Sequence, residues 1–189
     1  IMACTFALSG GVALVCADLN ASIGVGKDLI LVNYDSFDRA TTLGTIEADA
    51  TNNNIEGLTN INLKVGAVQH VFEGTDYSVV PTVAPEVKED GSVHYGHSVL
   101  FTAYSKTALT RKTIESLGGA RVIAIAVDRS TGLYELFGAD QGLSMVSSER
   151  AYTGSQKSNF YDVTISTPEI GVVKESTLGL LAVNIITAV

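Results

Sequence analysis

Short segments rich in Val, Ile, Tyr, Phe and Thr recur between glycine, proline and aspartate turn signals, and this recurrence limits the fold more than any other feature of the chain. They cover residues 28–34, 55–64, 67–72, 92–104, 121–127 and 133–137. β-Branched and aromatic side chains suit a pleated, half-buried surface, so these segments are expected to be strands. Ile61, Leu63 and Val65 alternate with polar neighbours, as do Val163 and Ile165, the pattern of a sheet with one buried face. Asp90-Gly91 is a hairpin turn signal, Arg129-Ser130-Thr131-Gly132 a second, and Gly138-Ala139-Asp140-Gln141-Gly142 a third.

One stretch departs from this pattern. Thr107 is a capping residue ahead of Leu109, Ile114 and Leu117, whose spacing places them mostly on one side of a helix, and Gly118-Gly119 offers a left-handed stop. A helix of about ten residues is marginal alone and must pack on a sheet. At 189 residues the chain is expected to form a single domain, residues 1–189. The predicted fold is mainly β: a β-sandwich or partly closed β-barrel with one flanking α-helix at about 107–117. Residues 81–97, polar and carrying Pro81, Pro85 and the Asp90-Gly91 turn, are expected to form a projecting arm or hairpin able to add a strand to another sheet.

Charged residues make up only 17% of the chain against 46% apolar, where an ordinary soluble domain has ~25% charged. Residues 176–189 carry no charge, so they form either an internal strand or a surface covered by a neighbouring subunit. No apolar run reaches the ~20 residues of a membrane helix, and no membrane span is expected. Residues 1–17 are also uncharged, but they lack Lys or Arg before the apolar part and are interrupted by Ser9-Gly10-Gly11, so a cleaved signal is not expected. The Asn20-Ala21-Ser22 sequon then has no secretory context. Cys4 and Cys16 fit small buried hydrophobes better than a disulfide framework in a chain this long.

Motifs for chemistry fail on inspection. Gly24-Val25-Gly26-Lys27 lacks the earlier glycine of a phosphate loop, where Ala21 stands, and Asp28 replaces the Ser or Thr that would hold magnesium. Leu29 occupies the third-glycine position of a dinucleotide fingerprint, leaving a glycine turn as the better reading. His94 and His97 lie three apart in an expected strand, so their side chains point to opposite faces and make a poor chelate. Gly-x-Ser-x-Gly and Cys-x-x-Cys are both missing. The expectation is a non-enzymatic protein with no catalytic residues, cofactor or metal.

The charge is unevenly placed. Residues 47–90 hold eight acids and two bases, −6 of the total −8. One reading is an acidic solvent face. The other is a surface that repels polyanions, as a conduit for DNA requires if phosphates are to pass without adhering. On that reading Glu47, Asp49, Glu56, Glu73 and Asp76 are candidates to face a lumen.

Two blocks carry a resemblance. The first is Leu14-Val15-Cys16, then residues 24–27, then Leu29-Ile30-Leu31-Val32-Asn33-Tyr34-Asp35. The second runs from the strand at 99–103 through the helix around Arg111-Lys112 to the strand at 122–128. It closes on residues 132–138, Gly142-Leu143, Thr153-Gly154 and residues 161–165. In these the sequence resembles a family of phage and prophage structural proteins of Bacteroidetes-type phages, similar to tail tube subunits. It departs at Gly24-Val25-Gly26, where the family shows adjacent glycines, and residues 178–189 have no family counterpart. The resemblance implies a virion structural protein, a tail tube subunit that self-assembles into stacked rings. It further implies hexameric rings, contact with other virion tail proteins, DNA as non-adhering cargo, and location in the tail of a virion assembled in the bacterial cytoplasm. A head-tail connector or capsid-associated protein is the nearest alternative. A secreted β-sandwich binding or adhesion module shares the composition.

Overall fold

The strand Arg121–Asp128 is apolar on both faces, and the whole architecture is arranged around it. In the computed structural model, which describes residues 25–44, 46–48, 55–104, 107–129, 131–149, 160–168, 175 and 179–188, this strand is β7 of eleven. Before it come β1 (Val25–Asn33), β2 (Ile46–Ala48), β3 (Ile55–Leu63), β4 (His70–Glu73), β5 (Val79–Val87) and β6 (Val93–Ala103). After it come β8 (Tyr134–Phe137), β9 (Leu143–Glu149), β10 (Tyr161–Ser166) and β11 (Leu180–Thr187). A short helix α1 (Arg39–Gly44) follows a 3-10 turn at Tyr34–Ser36, and α2 (Ala108–Gly119) precedes β7. The protein is mainly β with one substantial helix, as the sequence predicts.

The eleven described strands belong to one sheet that branches at β7. One edge of β7 pairs with β1, which carries β4 on its far side. The other edge takes β8 along residues 124–127 and β9 along residues 121–122. From β9 the sheet continues through β10 and β6 to β5, and from β8 through β11 and β3 to β2. Among the described residues, pairing is antiparallel except between β11 and β3.

Because successive side chains of β7 alternate faces, the strand serves two cores. Val122, Ala124 and Ala126 join Leu29, Leu31, Val99, Phe101, Val163 and Ile165, with Ile114 and Leu117 of α2 closing that side. Ile123 and Ile125 face the opposite way and pack with Val32, Leu58, Ile61, Leu63, Leu136 and Leu180. A strand buried on both faces has no need of polar alternation, which explains the unbroken run Val122-Ile123-Ala124-Ile125-Ala126-Val127. Around the first core the sheet curls until β5 lies beside β1 without a ladder between them. Phe72 of β4 meets Phe101 of β6 edge-on at 5.1 Å across this gap, so the unit is a partly closed barrel.

The helix begins where expected: the Thr107 hydroxyl accepts a hydrogen bond from the Thr110 amide at 3.2 Å. It ends differently. Gly118 and Gly119 lie inside the helix and Ala120 leaves it in an extended conformation, so no left-handed glycine is used. Leu109 also turns away from the core and is 75% exposed, since the first turn overhangs the barrel.

The segment at 138–142 corrects a second expectation. β8 and β9 do not pair with each other, so this is no hairpin; both run along one edge of β7 as a single interrupted strand. The five residues form an excursion closed by the Gly142 amide donating to the Gly138 carbonyl at 2.9 Å. Gly138 and Gly142 both have positive φ, 80° and 72°, which lets the chain leave and resume the same direction. A Cβ at Gly142 would sit 2.8 Å from Arg121 Cγ and 2.9 Å from Tyr34 Cδ2, whereas one at Gly132, also left-handed, would meet nothing within 4 Å. Gly132→Ala therefore isolates the backbone cost, about 1 kcal/mol. Gly142→Ala adds overpacking and should cost about 2–4 kcal/mol, a difference that paired thermal melts will show.

The two remaining hairpin expectations hold. Gly91 sits at φ 81° between β5 and β6, and Gly132 at φ 72° between β7 and β8. Gly26 lies within β1, beside an irregularity in its register with β7, so the expected glycine turn at 24–27 is a strand where it is described. The uncharged C-terminal segment contributes β11, an internal strand between β3 and β8. Cys4, Cys16 and the sequon lie outside the described residues.

Candidate functional site

The ionisable side chains that cluster most densely do so around the 138–142 excursion. Glu175 is fully buried, and its two carboxylate oxygens accept hydrogen bonds from the amides of Asp140, at 2.6 Å, and Gln141, at 2.8 Å. Its backbone exchanges hydrogen bonds with Tyr95 of β6 at 2.8 and 3.0 Å. One residue thus ties the loop beside β7 to the base of the β5–β6 hairpin. Burial pushes the Glu175 carboxyl above the ordinary carboxylate range; the two amides and Arg39 pull it down, and the Asp140 charge adds to the rise.

Asp140 is held in turn by Arg39 of α1, whose Nε donates to Oδ1 at 3.2 Å alongside a shorter ion pair from the terminal nitrogen. The Tyr34 hydroxyl donates to the Asp140 carbonyl at 2.6 Å, and the Arg121 guanidinium lies 5.6 Å from the Tyr34 ring centre. Burial raises the Tyr34 phenol above its usual value. On the other side of the loop His97 is buried, edge-on to Phe137 at 5.8 Å, and its Nδ1 accepts from the Gly138 amide at 3.1 Å. That bond assigns the ring proton to Nε2. Thr167 completes the junction, its hydroxyl accepting from the His97 amide at 3.0 Å. These groups are committed to holding backbone in place, and what the arrangement does chemically is to satisfy donors that a buried loop would otherwise orphan.

The concave surfaces lie elsewhere. A groove of about 590 Å³ between β4 and α2 is lined by Gln69, His70, Phe72, Tyr104, Leu109 and Thr113 among others. A second, of about 600 Å³, lies over the start of β1 with Lys27, Asp28, Asp76 and Arg129 at its rim. None of the clustered groups around Glu175 lines either groove.

The lumen candidates separate into two places. Glu47 and Glu56 are on β2 and β3, at one end of the branched sheet, and Asp49 lies outside the described residues. Glu73 is exposed at the end of β4, opposite Asp28 of β1, and Asp76 is exposed in the turn that follows. Asp76 pairs with Arg129, so part of the charge counted for this segment is locally compensated. His94 and His97 do not converge: His97 is in the core junction just described and His94 pairs across the ladder with Glu86. Glu175 had no sequence signal, being an acid outside any periodic segment, and Gly138 and Gly142, four positions apart, pointed only to a turn.

The chain matches no protein-family model, no curated protein and no solved structure.

Proposed function

We propose that the protein is a virion structural subunit of tail tube type, assembling with copies of itself into stacked rings through which DNA passes. The observation that carries this reading is the β5–β6 hairpin. Its two strands pair from Val79 with Phe101 out to Val87 with Val93. β10 pairs with β6 along residues 98–103, and outward of that Thr167 holds the His97 backbone and Glu175 bridges Tyr95. The outer half of β5, residues 84–87, is exposed, and the tip ends in Val87 at 70% and Val93 at 45% exposure. A paired apolar tip standing off the body gains from a neighbour that covers it.

The edge of β5 does not favour added strands. Pro81 and Pro85 are four residues apart, hence on the same side of the ladder, and neither can donate a hydrogen bond. The arm therefore acts through its tip side chains rather than by extending another sheet. The acids Glu47, Asp49, Glu56, Glu73 and Asp76 are proposed to contribute to the negative potential of the channel, with Asp76 weakened by Arg129. A second reading, a monomeric β binding module, would use the β4–α2 groove instead.

Replacing residues 87–93 with an Asn-Gly turn joins Glu86 and His94, whose backbone groups face each other across the ladder, and leaves the outward-facing Tyr95 backbone on its Glu175 bridge. The variant should keep its β circular dichroism and elute as a monomer where the wild type assembles. Wild-type particles from this variant would remove the arm from the assembly.

A further inference from the structure

We propose that the free edge of β4 pairs with β4 of a second copy, antiparallel, about a two-fold axis at Val71. Sheets guard their open edges with proline, charge or cover, and β5 carries two prolines with Glu86, Glu89 and Asp90 close by. β4 has no proline, and its one charge, Glu73, stands at its last residue. Among the described residues it pairs only with β1, and the run from Val65 to Phe72 has no proline, acid, lysine or arginine.

The same run concentrates exposed apolar side chains: Val65 at 72%, Val68 at 60% and Val71 at 54%, with Leu109 of α2 at 75% across the adjoining groove. Four strand residues supply few hydrogen bonds, so the valines and Leu109 must provide most of the buried area.

The edge is complementary to itself, which singles out a second copy as its occupant. With Val71 on the axis, Phe72 lies opposite His70 of the partner subunit and Glu73 opposite Gln69 of the partner subunit. No like charges face each other, and each ring meets a ring of the other kind. Such a contact is isologous and closes on itself, so it goes beyond the head-to-tail contacts of a tube.

The geometry makes the test specific. In a Cys4→Ser, Cys16→Ser background, Val71→Cys places two thiols directly opposite, within the Cα separation of about 4.4–6.8 Å that a disulfide needs. Val68→Cys places them six residues apart along the ladder, roughly 20 Å. Air oxidation followed by a non-reducing gel should convert Val71→Cys to a covalent dimer at least about tenfold more than Val68→Cys or Val87→Cys. A Val71→Cys chain that remains single, or equal cross-linking at the control positions, overturns the pairing. Electron microscopy of the wild type separates this from the tube reading. Rings without the Val71 cross-link remove the edge pairing alone, whereas the cross-link without rings supports the pairing and removes the tube.

Discussion

Glu175→Ala will destabilise the protein by about 3 kcal/mol, because it leaves the half-buried amides of Asp140 and Gln141 without their acceptor. For a chain of this size that lowers the melting temperature by about 6–12 °C. The local effect is larger than the number suggests. The same side chain anchors the 138–142 excursion, and the same backbone holds Tyr95, so the loss should also raise amide exchange at the base of the hairpin. Glu175→Gln keeps the shape and one acceptor and should cost less.

The Gln variant also reports on charge. Burial raises the Glu175 carboxyl, and Glu135 is raised as well, by burial and then by Asp128. A group whose folded value is raised binds its proton more tightly in the native state, so its contribution is fully present below the unfolded value and is lost as pH rises through the folded one. Wild-type stability relative to Glu175→Gln should therefore decline as pH rises from about 4 toward neutrality. Urea melts at several pH values check this. A difference that stays flat, or grows with pH, contradicts burial as the dominant influence on this carboxyl.

The second large effect concerns β7. Phe101→Ala empties the first core and Ile61→Ala the second, each side chain being almost wholly buried. Losses of about 3–5 and 2–5 kcal/mol are expected. Because β7 and β1 form the wall between the two cores, neither core can melt while the other persists, and both variants should unfold in one transition with an unchanged denaturant slope. Two resolved transitions in either variant would mean that the halves of the branched sheet fold independently.

How far the fold was legible follows from where its information lies. The strand near Arg121–Asp128 was plain because both of its faces are apolar, and the helix because Thr107 caps it. The Asp90-Gly91 turn was equally plain, since a left-handed glycine at a hairpin is a local requirement. Pairing between distant strands has no such local mark. Nothing in residues 180–187 indicates that they lie parallel to β3, more than a hundred positions earlier. The 138–142 segment misled because two glycines around an aspartate serve a hairpin and an excursion alike, and only the ladder with β7 distinguishes them. Glu175 was hidden for a related reason: a buried carboxylate is defined by the amides it meets, and those lie 34 and 35 positions away. The candidate acids were found by counting charge, which says nothing about direction, and the structure divides them between β2–β3 and the end of β4.

Assembly is the central claim, and electron microscopy of the purified full-length protein tests it most directly. Rings or stacked tubes are the predicted result, with the β5–β6 hairpin reaching the adjacent subunit and at least one of Glu47, Asp49, Glu56, Glu73 and Asp76 on the wall of a central channel. A monodisperse monomer that persists as concentration is raised would contradict the account, and tubes with all five acids on the outside or in subunit contacts would remove the acidic channel from it.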